Sequence, residues 1–386
     1  MSFGVNRFAA IVVGLAVMAV SAACGSESAP DYGKYPAQRI AGDYDSQPSR
    51  ARGILAESVR LGERLVFASD VDPDLKAGRG GGVLADYTGL NYSLIPGAQV
   101  AAANAHGVQG AFGVAAADKA GADAKKQLSV SLLEFPDDQA AAAAAVDMER
   151  ADFYQAPDNA PVLVDAFPTA WAHWRPGIPA LSSTFAWKSL VIRVSAQLPD
   201  PDPAALVNMV TAAYQKQLAL LDSFTPTAAS ELAALRLDPD GLLPRLVKTG
   251  DNTPDRQNFA VYGVRAYAQL GADPAGDFAA TSGAGLVSMA MSRNNQLFRL
   301  RDAATAHDFT AYLTSRGSDA NYAPLSGVSG ATACAQATQQ VPTQLTPYRY
   351  RCFVTHGEFV ARVYSDTESD VRQLAAAESA VLADRR

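Results

Sequence analysis

Cysteine is nearly absent, 3 residues in 386, which excludes a small scaffold held by a dense disulfide framework. Histidine is as scarce: His106, His173, His307 and His356 stand singly, and none has a second Cys or His at zinc-ligand spacing. No metal and no cofactor is therefore expected. Positive charge is also short. With 32 Lys+Arg against 39 Asp+Glu the formal net charge is −7, which supplies no field for a phosphate backbone, so no nucleic-acid partner is expected. Long apolar runs are missing after the first 20 residues, yet 48% of the chain is hydrophobic, enough to bury two cores of ordinary domain size.

The start of the chain is the exception. Arg7 precedes a thirteen-residue apolar run, Phe8 to Val20, which is followed by Ser21-Ala22-Ala23-Cys24. A basic residue, a short apolar core and a small-residue cleavage site are the marks of a secretory signal peptide, and the run is too short to span a bilayer comfortably. The small triplet before Cys24 resembles the lipobox of bacterial lipoproteins, with Ser21 where that motif usually has Leu. The resemblance implies cleavage after Ala23 and diacylglycerol on Cys24, hence an exported protein held by acyl chains on the outer face of the plasma membrane, or a secreted one if Cys24 stays bare. Removing residues 1–23 leaves 31 basic against 39 acidic residues, a charge of −8. Gly25 to Gly33, with Ser26, Ser28 and Pro30, reads as a flexible tether.

If Cys24 carries lipid, Cys334 and Cys352 remain, eighteen positions apart in an oxidising compartment, and a disulfide between them is expected.

Compared with itself, the chain shows a weak repeat at an offset near 167. Phe112-Gly-Val-Ala-Ala is matched to Phe278-Ala-Ala-Thr-Ser, and Leu133, ahead of a helical stretch from Asp137 to Phe153, to Leu300, ahead of Ala303 to Ser315. Two hairpins follow: 184–187 and 190–194, against 352–355 and 359–363, with Arg193 falling on Arg362. Each leads into a long helix, Pro203 to Ser223 and Thr367 to Ala383, the second opening with the capping-box spacing Thr367-Glu-Ser-Asp370. Short strands at 170–174 and 331–335 complete two units of order β-α-β-β-β-α. The expected class is α+β, two related units with antiparallel sheets and helices packed on one face. The expected division is a signal peptide over 1–23, a lipidated N-terminus and tether over 24–46, an N-terminal domain over 47–225, a connector over 226–260 and a disulfide-bearing C-terminal domain over 261–386. A helix is also expected from Ser49 to Phe67.

Catalytic signatures are wanting. Gly78-Arg-Gly-Gly-Gly82 has no preceding strand and no Gly-Lys-Ser/Thr, so it reads as a surface turn and not a phosphate loop. The Asp-rich segments 70–74 and 238–241 lack the ligand alternation of a calcium loop and read as turns. No serine stands in a nucleophile elbow. The densest unusual patch is Trp171-Ala-His173-Trp174-Arg175. Two indoles, an imidazole and a guanidinium would suit a cleft for a sugar or lipid headgroup; read more simply, they are strand residues under a helix, with Arg175 at the rim.

The segments Asp31-Tyr-Gly-Lys-Tyr-Pro36, Glu57-Ser-Val-Arg-Leu61, Val71-Asp-Pro-Asp74, Asp238-Pro-Asp-Gly-Leu-Leu243 and Tyr262-Gly-Val-Arg-Ala266 resemble a family of uncharacterised lipoproteins of mycobacteria and related mycolic-acid actinobacteria. The C-terminal unit with its cysteine pair is also similar to extracytoplasmic sensor modules of such bacteria. The resemblance implies an envelope location and carries no activity. The expectation is a non-enzymatic, lipid-anchored binding module for an envelope lipid, glycolipid or partner protein. The alternatives are an envelope hydrolase whose nucleophile is assembled in space and a purely structural scaffold.

Overall fold

A computed structural model describes residues 29–40, 44–46, 48–86, 88–90, 94–249, 259–315, 322–338 and 349–384; the expected signal peptide, Cys24 and the first part of the expected tether, residues 25–28, lie outside these. The first half contains α1 (Arg50–Gly62), α2 (Ala68–Val71), β1 (Ala77–Val83), β2 (Ala85–Asp86), β3 (Gly89–Leu90), α3 (Gly97–Ala105), β4 (Gly110–Ala117), β5 (Gln127–Glu134), α4 (Asp138–Phe153), β6 (Ala160–Pro161), β7 (Trp171–Trp174), β8 (Ala180–Trp187), β9 (Leu190–Gln197) and α5 (Pro203–Leu221). The second half contains β10 (Ala260–Gly263), α6 (Val264–Ala268), α7 (Pro274–Gly283), β11 (Leu286–Ser292), β12 (Asn295–Leu300), α8 (Ala303–Ser315), β13 (Tyr322–Pro324), β14 (Ala333–Ala337), β15 (Tyr350–His356), β16 (Phe359–Ser365) and α9 (Glu368–Ala383).

Helix starts follow local side-chain chemistry. Ser49, Asp137, Asp202 and Asp273 each accept a backbone N–H of the first turn of α1, α4, α5 and α7. Each such cap is worth about 0.5–2 kcal/mol. The helix expected from Ser49 ends at Gly62, because beyond it the chain turns and the Glu63 carboxylate serves elsewhere.

Strand order shows the duplication. One sheet runs β1-β4-β5-β9-β8-β7-β6 and the other β10-β11-β12-β16-β15-β14-β13, every neighbouring pair antiparallel. Among the described residues each of these sheets therefore has seven strands, two earlier ones and an edge strand more than the expected repeat, and β2 pairs with β3 apart from them. The hairpins match as the sequence indicates: Trp187 faces Leu190 and His356 faces Phe359, so Arg193 and Arg362 occupy one register position. The earlier matches shift. Arg193 lies opposite Ser131 and Arg362 opposite Gln296, which sets Leu133 on Phe298, not Leu300. Phe278 is not on a strand at all but on α7, packed on Phe67, and the counterpart of β4 is β11.

The sheets are covered on both faces, not on one. Neighbouring residues of a strand point to opposite sides, and Ser183 receives the Tyr214 hydroxyl of α5 while Thr184 donates to the Ala145 carbonyl of α4. The glycine run expected as a surface turn is strand β1, paired with β4 through a bulge between Gly78 and Gly81. Gly81, at φ +141°, is required there because a Cβ would run into the Gly113 backbone.

The units are joined where the turn after α1 meets the family-like segment Tyr262–Ala266. Glu63 accepts the N–H groups of Arg265 and Ala266 at the start of α6, and the Arg265 guanidinium stacks over Phe67 at 4.0 Å and donates to the Leu65 carbonyl. Asp238 accepts the N–H groups of Leu242 and Leu243, while Asp45 accepts those of Leu237 and Asp238.

Candidate functional site

Strand β7 separates the four residues singled out from the sequence. Trp171 and His173 point to the α4 side, Ala172 and Trp174 to the α5 side. His173 is 9% exposed, and its Nδ1 lies 2.6 Å from the Glu149 carboxylate on α4. Burial alone would lower the imidazole pKa, but the Glu149 carboxylate outweighs it and the net shift is upward, so a charged pair is favoured. Beside it, Arg193 Nε donates to Gln99 Oε1 at 2.5 Å and Nη2 to Ser182 Oγ at 3.2 Å, and Gln99 in turn donates to Asp152. Trp174 gives its indole N–H to the Ile178 carbonyl, Arg175 pairs with Asp158 at the surface, and Trp171 is half exposed. His173 and Arg193 thus belong to one buried network that stops short of Trp174 and Arg175.

Two other groupings bear on catalysis. His173 and Ser182 are cross-strand neighbours, but among the described residues no serine is hydrogen-bonded to a histidine, and the Ser182 hydroxyl is taken by Arg193. Glu57 and Glu134 meet in the interior, both with no exposed surface, and Glu57 is held by Arg60 at 2.5 Å and Thr227 at 2.7 Å. Burial, then the neighbouring Glu57 carboxylate, push the Glu134 carboxyl up to about 10, so it is protonated at neutral pH. A protonated carboxyl beside a second carboxylate has the chemistry of a general acid and base, yet both are walled off from solvent. In the calcium-like turn the cation is a lysine: Lys126 Nζ lies 3.1 Å from Asp72 and 2.6 Å from Asp74.

An open cavity of about 450 Å³ lies instead on the C-terminal unit. One wall is the stretch from Asp31 to Arg39, which runs along α9. Asp31 accepts the Gln373 amide, the Tyr35 hydroxyl donates to Asp370 at 2.8 Å, and Arg39 donates to the Val381 and Leu382 carbonyls. Asp31 and Gly33, the described end of the expected tether, are thus bound to the body. Burial and the Asp370 carboxylate both push the Tyr35 phenol up, so it stays a donor. The remaining walls carry Lys248, Arg293 and Asp366. Asp370 accepts Tyr35 and Ser365 rather than closing a capping box, and Thr367 makes no side-chain cap. Arg293 sits at φ +53° in the two-residue turn from β11 to β12, a left-handed conformation that only a few non-glycine residues adopt. Sequence reading missed this cavity because its walls come from four distant segments with no shared motif.

Two family models cover most of the chain: the N-terminal part of a domain of unknown function (DUF7373) matches residues 44–237, and its C-terminal part matches residues 242–385. The chain belongs to the DUF7373 family. The two DUF7373 regions follow the duplication, one containing β1 to α5 and the other β10 to α9, and they meet at the Asp238–Gly241 turn. Lys34 and Tyr35 of the cavity precede both. No curated protein matches the chain. Among solved structures, the extracellular domain of PknH from Mycobacterium tuberculosis is similar at 13% identity and a TM-score of 0.32, over 46% of this chain and 99% of that domain.

Proposed function

We propose that this protein is a lipid-anchored module of the cell envelope that binds an envelope lipid, glycolipid or partner protein and catalyses no reaction on it. The observation that carries the reading is the strap: the chain emerging from Cys24 is tied to α9 from Asp31 onward by Asp31–Gln373, Tyr35–Asp370 and Arg39. Asp31 stands seven positions after Cys24, a reach of at most about 25 Å, so acyl chains on Cys24 would hold the C-terminal unit close to the bilayer. Export is supported by the disulfide of Cys334 with Cys352, a bond that persists in oxidising compartments. A binding role is favoured over hydrolysis because the acid pairs of the interior are enclosed, whereas the cavity beside the strap is open.

Fractionation tests the anchor. Cys24→Ala is expected to release the protein to the medium or stall its processing, and mass spectrometry of the wild type to show diacylglycerol and acyl mass on Cys24. Unchanged membrane association of Cys24→Ala would overturn the anchor. Covalent labelling of a specific serine by a fluorophosphonate probe would overturn the non-catalytic reading.

A further inference from the structure

The cavity beside the strap has an excess of cations in a body that is acidic overall. Lys34, Lys248 and Arg293 face it, against Asp366 and Asp370. Asp370 is already spent: it accepts both the Tyr35 and Ser365 hydroxyls and lies 3.8 Å from Lys34. Asp366 accepts the Arg349 backbone N–H. Among the described residues neither Lys248 nor Arg293 has a hydrogen-bond or ion-pair partner for its charged group. Two cations without partners at one cavity, one of them on a turn held in the left-handed region, form a fork and a point charge, the pair of donors that suits a phosphate.

From this we propose that the cavity binds a phosphate-bearing anion, with Lys248 and Arg293 as its direct ligands and Lys34 at its rim. The proposal deepens the binding reading above and rests on it. Because Lys34 belongs to the strap, about 35 Å of extended chain from Cys24 at most, the phosphate is either that of a phospholipid headgroup in the anchoring leaflet or that of a soluble compound.

The test uses the mature chain carrying Cys24→Ala, so that acyl chains do not mask weaker contacts. Inorganic phosphate is titrated calorimetrically, and co-sedimentation is measured with vesicles of phosphatidylglycerol and phosphatidylcholine in a 1:3 ratio against phosphatidylcholine alone. Saturable phosphate binding without preference for the anionic vesicles assigns a soluble phosphorylated ligand. Binding to anionic vesicles alone, or to both probes, assigns the headgroup. In either case Lys248→Glu/Arg293→Glu should weaken binding by about tenfold or more, since each charge-assisted bond is worth at least one decade. The melting temperature should stay unchanged, because both side chains lie at the surface of the cavity. Absence of binding to both probes, or binding that the double variant leaves intact, overturns the proposal. The same double variant in the lipidated protein should fractionate with membranes as before, which separates a failure of this site from a failure of the anchor.

Discussion

At one register position of the two sheets, Cys334 faces Cys352 with Cα atoms 4.1 Å apart, while Ala172 faces Ser183. The C-terminal unit closes this corner with a covalent bond between strands. The N-terminal unit closes it with a hydroxyl: Ser183 donates to the Trp171 carbonyl across the strand pair and accepts from the fully buried Tyr214 of α5. A second position diverges in the same manner. Arg193 is buried and Arg362 half-buried, and Arg193 lies among Gln99, Ser182 and the carboxylates of Asp152 and Glu149. Arg362 is bonded to Gln296 and the Tyr267 hydroxyl and stacks over Phe298 and Tyr364. The strand order is the same in the two halves, and each has its own compensation for the arginine at this register position and for the same strand junction.

Removing the arginines should separate the two halves most. Arg193→Met takes the guanidinium away from the carboxylates of Asp152 and Glu149, leaving Glu149 with His173 and Asp152 with the Gln99 amide, and about 3–5 kcal/mol of stability should be lost. Arg362→Met leaves only neutral acceptors behind, at a cost of about 1–3 kcal/mol. Urea midpoints check this, and equal losses would show that the carboxylates and the aromatic rings compensate the charge alike.

The corner comes next. Replacing both Cys334 and Cys352 by Ala should cost about 3 kcal/mol for a loop of 18 residues and make the melting temperature insensitive to reductant. Ser183→Ala should cost less, about 1–2 kcal/mol, chiefly by stranding the Tyr214 hydroxyl. Adding Tyr214→Phe to Ser183→Ala should then cost little more, since the two groups share one interaction. Additive losses in that pair would mean that Tyr214 is held by packing and not by the hydroxyl.

What could be read from the sequence was what bulky residues and caps announce. Asp137, Pro203 and the alanine-rich faces mark α4 and α5, and the β-branched hairpins preserve their spacing well enough to place Arg193 on Arg362. Strand β1 was illegible because its residues are glycine and it exists only as the partner of β4, through a bulge. Strand β4, Gly-Ala-Phe-Gly-Val-Ala-Ala-Ala, carries too little side-chain bulk to show a period, which led to the false match with Phe278. The disulfide was legible from arithmetic on three cysteines. The cavity was not, since Lys34, Lys248, Arg293 and Asp366 come from the strap, the segment 248–249, the turn from β11 to β12 and the residues leading into α9.

A last contrast concerns two buried acids and is read in pH. Glu378, on α9, accepts the Val247 N–H and the Asn295 amide, both at 2.7 Å, and burial pushes it up to about 7. Glu134, in the other unit, is pushed to about 10. Both folded-state values lie above the ordinary 4.5, so the folded protein holds protons that the unfolded chain releases. Their contribution to stability is therefore fully present below pH 4.5 and declines as pH rises, through 7 for Glu378 and on toward 10 for Glu134. Glu378→Gln keeps the acceptor oxygen and removes the titration. Relative to wild type it should gain stability between about pH 4.5 and 7, of order 3 kcal/mol, and hold that gain unchanged above. Glu134→Gln should go on gaining between pH 7 and 9. Denaturation midpoints at pH 5, 7 and 9 distinguish the two, and a Glu378→Gln gain that keeps growing above pH 8 would mean that its carboxyl is as strongly held in the protonated form as that of Glu134.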